Sequence, residues 1–215
     1  MTFSGCAGLR PHVIRCYEGF QPNCDNALRL SLVLGVPSYL SFHDANVRVY
    51  PRFAHFTALT AYTHTLAEKR TIELQRSVEV QLNGISAEVF RPREQPQVDA
   101  RIKGSKHRIF TITRKDPVKN LQTMLKATSL FAERNAGTIH VIAGPGSEEI
   151  GFDGVHLGIG PVSDRELPDY LTWCQCFLQV QLVGDIGMAA TEALMVGRPI
   201  IVAGDPEGNA RDGRS

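Results

Sequence analysis

The chain has 215 residues, 43% hydrophobic and 21% charged, the balance of an ordinary folded protein with room for one or two domains. Lys and Arg number 23 against 22 for Asp and Glu, and the resulting net charge of +1 gives no electrostatic reason to expect nucleic acid or an anionic membrane as the main partner. The longest apolar stretch, residues 28–40, is too short to span a bilayer and carries Arg29, and residues 1–10 lack the basic start and apolar run of a signal peptide, so neither a transmembrane helix nor a secretory leader is expected.

In chain order, strands alternate with helices. Residues 12–16 predict a short strand, and residues 25–34 a helix capped by Asn23 or Asp25 and stopped by Gly35. Residues 37–42 predict a second strand ending at His43 and Asp44, and residues 56–61 a third. A helix follows Thr63, and residues 78–82 predict a fourth strand closed by the turn pair Asn83-Gly84. Residues 91–106 hold two prolines and many charges and read as a linker or an exposed loop. The pattern then restarts with a strand at 107–113 and a helix at 118–135. In that helix Leu121, Met124, Leu125, Thr128, Phe131 and Ala132 recur at three- and four-residue steps. Strands follow at 138–143, 155–158, 176–181 and 199–203. Helices are expected near 168–174 and 187–196, and Ser163 with Glu166 fits a capping box.

Strands joined through helices need crossover connections and hence a mostly parallel sheet. The expected fold class is therefore α/β, with two doubly wound units, residues 1–92 and 93–215. The five cysteines, Cys6, Cys16, Cys24, Cys174 and Cys176, are odd in number and scattered, which suggests free thiols in packing positions. Cys174 and Cys176 have one residue between them, fewer than zinc sites usually have.

Several chemistries are excluded at the level of motifs. No G-x-x-x-x-G-K-[ST] phosphate loop and no G-x-S-x-G nucleophile elbow occurs. The seven histidines never fall within four residues of one another, and no Asp-x-Asp is present to hold a catalytic divalent cation. Gly158-x-Gly160 lacks the third glycine of a dinucleotide fingerprint and reads as a turn.

Ligands of open α/β sheets bind beyond the carboxyl ends of the strands, so polar residues there carry the functional information. Arg114 follows one predicted strand and Lys119 opens the next helix. Two cations beside free helix amides suit a diphosphate, although spacing alone favours a solvated Arg114-Lys115-Asp116 loop. Residues 184–194 run from a strand through a glycine-bearing turn into a helix. Gly187 would let a ligand approach the backbone, and Glu192 either faces solvent or reaches a polar partner such as a ribose diol. His43 is either a hydrogen-bonded structural residue or an acid/base or substrate ligand.

Taken together, these segments resemble the retaining glycosyltransferases of family 4. ITRKDPVKN, residues 112–120, is similar to the family's G-R-L-x-x-x-K-G, with Arg114 and Lys119 on its Arg and Lys and Thr113 in place of its Gly. Leu82 to Ile85 with Phe90 and Pro92 resembles the interdomain N-G-[VI]-D-x-x-x-F-x-P, with Ser86 replacing Asp. HVIAGPG and LPDYLTWCQCFLQV resemble two further family segments, and GDIGMAATEALMVGRPIIV resembles E-G-F-G-L-x-x-x-E-A-M-A-x-G-x-P-V-V. SYLSFHD is similar to a segment of the acceptor-side domain.

The resemblance implies a GT-B fold, two Rossmann-like domains with the active site between them, both units being shorter than usual. It implies metal-independent, retaining transfer of a sugar from a nucleotide diphosphate-sugar to a sugar, lipid or protein acceptor, with no cofactor. Arg114 and Lys119 would neutralise the departing diphosphate, Gly187 would offer backbone amides, Glu192 would hold the ribose, and His43 would lie near the transferred sugar as the catalytic candidate. The first of the family's two Glu positions is Gly184 here, and Asp185 is the candidate substitute. The same resemblance leaves open a sugar-nucleotide epimerase or a non-catalytic nucleotide-binding remnant. The expected location is the cytoplasm, free or peripheral to a membrane, and unfinished sheet edges lead to an expectation of self-association.

Overall fold

A computed structural model describes residues 11–17, 21–45, 47–114, 117–181 and 187–204. It divides into two compact units, residues 1–83 and 84–215.

The first unit is a parallel sheet in the order β1-β2-β3-β4, formed by Ile14–Tyr17, Ser38–Phe42, Ala58–Ala61 and Glu79–Val80. Helices α1 (Gln21–Leu34) and α2 (His64–Leu74) provide crossovers. Both share one core with Cys16, Leu40, Phe42, Leu59 and Ala61, which lie on the same face of the sheet by register. The alternate residues, Tyr39, Ser41 and Thr60, occupy the opposite face. Helix α1 starts four residues earlier than residues 25–34 predicted, and Asp25 is not its cap but the ion-pair partner of Arg52 at 2.5 Å. Residues 56–57 and most of 78–82 fall outside strands, so β3 and β4 are shorter than expected.

Arg70 of α2 is almost fully buried. Its guanidinium donates to the carbonyls of Asp44, Ala45 and Val47 at 2.9, 3.2 and 3.0 Å and sits over the Phe42 ring. One fixed fork thereby organises the loop after β2 that carries His43.

The second unit is a five-stranded parallel sheet in the order β7-β6-β5-β8-β9. Its strands are His107–Ile112 (β5), Thr138–Ala143 (β6), His156–Gly160 (β7), Cys176–Gln181 (β8) and Ile200–Gly204 (β9). Helix α3 (Leu121–Arg134) covers one face, where Met124 packs on Leu178 and Val180. Helices α4 (Leu167–Trp173) and α5 (Met188–Met195) cover the other, over a core that includes Phe110, Val141, Leu157, Leu171 and Phe177. Every residue of β6 is buried, as expected of a strand covered on both faces.

Of the two alternatives for residues 91–106, the segment is a largely exposed loop rather than a free linker, anchored to the second unit at a few points. Phe90 and Ile102 enter this second core, the Arg93 amide donates to Thr172 Oγ1 at 3.0 Å, and the Gln97 amide donates to Asp169 at 3.0 Å. The helix predicted from 118 begins at Leu121, because Asn120 adopts a left-handed conformation (φ 45°) after a short 3-10 turn, Pro117–Lys119. Ser163 and Glu166 do exchange the bonds of a capping box, but they do so one turn ahead of α4. Gly158-x-Gly160 is part of β7 rather than a turn: a Cβ on Gly158 would stand 1.8 Å from the Ser147 carbonyl oxygen, so glycine is required for close packing.

A buried polar chain ties α3 to the sheet. Thr111 Oγ1 is 2.8 Å from His140 Nε2, and Thr128 Oγ1 is 3.1 Å from His140 Nδ1 and 2.9 Å from His156 Nε2. His156 Nδ1 meets Asp153 at 2.9 Å. Burial, with a smaller contribution from His156, pushes His140 down to about 3. An unfolded chain takes up that proton near pH 6.5, whereas the folded chain resists until about pH 3. The unfolded state therefore binds more protons in this window, and stability falls as pH falls from 6.5 toward 3. At ~1.4 kcal/mol per unit, the His140 contribution to destabilisation at pH 5 is about 2 kcal/mol. Urea denaturation at pH 7 and pH 5 should show this loss, and His140→Gln should reduce it; equal pH dependence in the two proteins would contradict the assignment.

Candidate functional site

In the second sheet the chain proceeds from β5 to β6 and β7 on one side, then returns to place β8 on the other side of β5. The connections that follow β5 and β8 run to opposite faces, leaving a crevice at the carboxyl ends of these two strands. This is the topological switch point at which open α/β sheets bind ligands. A cavity of about 240 Å³ lies there. Thr113 and Arg114 line it from the end of β5, Gly144 and Pro145 from β6, and Gln179 from β8. Lys119 and the residues from Gly187 to Ala189 complete it.

Three sequence candidates, Arg114, Lys119 and Gly187, are therefore brought to one cavity. Arg114 is exposed at its rim and Lys119 is half-buried. Gly187 is the N-cap of α5 and supplies no capping side chain, and the first amides of any helix lack intrahelical partners. The cavity thus joins two cationic side chains to a helix N-terminus, a combination that favours an anion.

Glu192 does not line this cavity. It stands half-buried one turn further along α5, where burial and then the Asp164 carboxylate raise its pKa. Asp185 lies outside the described residues. His43 belongs to the first unit, just beyond β2. Its Nε2 is 2.9 Å from Ser41 Oγ, and its ring stacks on Tyr62 at 5.6 Å and meets Tyr17 at 5.4 Å. Burial, then the Arg15 charge, lowers its pKa, so at neutral pH it presents a neutral imidazole. Among the described residues no group of three metal-ligating side chains occurs in either unit.

The sequence reading missed Gly144 and Gln179. Gly144 has φ +120°, and a Cβ there would fall 1.9 Å from the Thr113 carbonyl oxygen. The end of β6 thus packs backbone against backbone on the end of β5, next to Arg114. The Gly-Pro-Gly that closes β6 was the available signal, whereas nothing in the local pattern marks Gln179. Its side chain lies against Gly187, 3.4 Å from where a Cβ would be.

The two parallel-sheet α/β units match the fold of GT-B glycosyltransferases. The chain is similar to HepE of Anabaena, in a crystal structure with UDP and glucose (TM-score 0.68, 13% identity, 89% of this chain and 60% of that one). It is also similar to sucrose-phosphate synthase of Thermosynechococcus elongatus (TM-score 0.72, 12% identity, 94% and 58%) and to TarM of S. aureus (TM-score 0.61, 14% identity, 88% and 40%). The chain spans about 60% of the length of the HepE structures. No curated protein matches it. The family model for glycosyl transferases group 1 matches residues 92–211, and the chain belongs to that family.

The two glycines make a contrasting pair. Gly144→Ala should lower unfolding stability by more than about 2 kcal/mol, through both backbone strain and overlap with Thr113. Gly187→Ala, at φ −69° with only ordinary contact to Gln179, should stay within about 0.5 kcal/mol of the parent. Denaturant titration of both variants measures this, and equal stabilities would contradict the packing described.

Proposed function

We propose that the chain provides the donor site of a nucleotide-sugar-dependent glycosyltransferase, one that resembles the retaining enzymes of family 4 and works without a metal or cofactor. The observation that carries this reading is the convergence of Arg114, Lys119 and the α5 N-terminus on one cavity at the switch point of the second sheet. The presence of UDP and UDP-glucose in the HepE crystals supports a nucleoside diphosphate as the guest.

In this reading the diphosphate lies against Arg114 and Lys119, while the amides of Met188 and Ala189 donate to its oxygens. As the bond from sugar to phosphate breaks, negative charge builds on the departing diphosphate. Fixed cations and oriented amides stabilise that charge without reorganising. The half-buried Glu192 carboxylate accepts from the ribose hydroxyls, and Asp185 is the candidate for contact with the donor sugar. His43 of the first unit, stacked on Tyr62 with its pKa lowered, is the catalytic candidate that the family resemblance implies.

A second reading, nucleotide binding without transfer, is favoured by one observation. Gly184 stands where the family pattern places the first of its two glutamates. Product analysis with UDP-glucose and candidate acceptors separates the two readings.

Calorimetric titration of the chain with UDP should show saturable binding, tighter than that of UMP. Arg114→Ala should weaken it by roughly 10- to 100-fold, the loss of one charge-assisted hydrogen bond of about 1.5–3 kcal/mol. Unchanged affinity in the folded variant would contradict the role of Arg114.

A further inference from the structure

The first unit contains a pair of thiols that serves none of the chemistry above. Cys16, the third residue of β1, and Cys24, in the first turns of α1, place their sulfur atoms 3.4 Å apart. Cys24 is completely buried and Cys16 is 6% exposed. The sequence suggested plain packing for every cysteine, and Cys174 and Cys176 fit that expectation. Their thiols point at separate main-chain carbonyls, those of Leu171 and Phe177, at 3.3 and 3.5 Å. Only Cys16 and Cys24 meet sulfur to sulfur among the described residues.

We infer that Cys16 and Cys24 form a reversible oxidation site that a peroxide converts to a disulfide. The roles of the two sulfurs follow from their surroundings. Cys16 keeps the small solvent opening, and its contact with the Cys24 sulfur lowers its pKa. The same contact raises Cys24, and burial raises it further. Cys16 is therefore the nucleophile and Cys24 the resolving thiol.

The Cys16 thiolate attacks one oxygen of hydrogen peroxide, the O–O bond breaks, and hydroxide leaves and takes up the thiol proton as water. Cys16 is then a sulfenic acid. Cys24 Sγ attacks Cys16 Sγ, the S–O bond breaks, and the hydroxyl leaves as a second water with the Cys24 proton. Two thiols and one peroxide give one disulfide and two waters, and the two sulfurs supply both electrons.

The bond would tie the end of β1 to the start of α1. Tyr17, the next residue after Cys16, is the residue whose ring touches His43, so the cross-link would lie directly beside that contact.

The test is treatment of the folded 215-residue chain with hydrogen peroxide, followed by alkylation and peptide mass analysis. The expected result is a peptide pair joined through Cys16 and Cys24, lighter by two hydrogens, with both thiols recovered on reduction by dithiothreitol. Cys24→Ser should leave a sulfenic acid on Cys16 that dimedone traps, and Cys16→Ser should leave Cys24 unoxidised. The inference is overturned if Cys176 oxidises while Cys16 and Cys24 remain alkylatable after unfolding, or if wild-type Cys16 accumulates as sulfenic or sulfinic acid without joining Cys24.

Discussion

The reversal of strand order around β5 governs the second unit. A parallel strand cannot be joined to its neighbour by a tight turn, so each connection crosses a face of the sheet. Once β6 and β7 have been added on one side of β5 and β8 on the other, the connections after β5 and β8 diverge and the crevice between their ends cannot close. Three of the residues in the proposed donor site, Arg114, Lys119 and Gly187, border that crevice. Arg114 is there because β5 ends there. Lys119 is there because Asn120, in a left-handed conformation, separates the short turn holding Lys119 from α3. Gly187 is there because α5 begins beside the end of β8.

The two faces of the second sheet use different means to hold this arrangement. Aromatic and aliphatic side chains fill the α4 and α5 face, where Phe110 contacts both Phe177 and Tyr170. The α3 face also encloses two histidines and two threonines in a hydrogen-bonded chain from Asp153 to Thr111. Satisfied buried polar groups fix one packing geometry more narrowly than apolar contacts do. Thr111 and Met124 belong both to this interior and to the wall of the cavity, so the position of α3 and the shape of the site are set together.

Much of this was legible in the sequence, for identifiable reasons. The alternation of strands with helices, with the 3.6-residue pattern of α3 the clearest, exposed the parallel sheet. Arg114, Lys119 and Gly187 stood at strand and helix ends, where local chemistry and position coincide. Contacts between segments distant in the chain were not legible. Gly144 requires the Thr113 carbonyl across the sheet, Arg70 reaches 23 to 26 residues back to three carbonyls, and Cys16 meets Cys24 only because α1 begins earlier than its predicted cap. The charged composition of residues 91–106 suggested a linker or an exposed loop; it is an exposed loop, and a single buried side chain, Ile102, helps hold it to the second unit. Composition reports average exposure and not the anchors within it.

The most direct measurement of the proposed donor site is amide chemical-shift mapping of the isotopically labelled chain during titration with UDP. A diphosphate bound in the crevice predicts saturable shifts at Thr113, Arg114, Lys119, Gly144 and the residues from Gly187 to Ala189. Saturable shifts confined to other parts of the second unit, such as the apolar cavity between Phe131 and Cys176, or no shift in a folded chain, would contradict it.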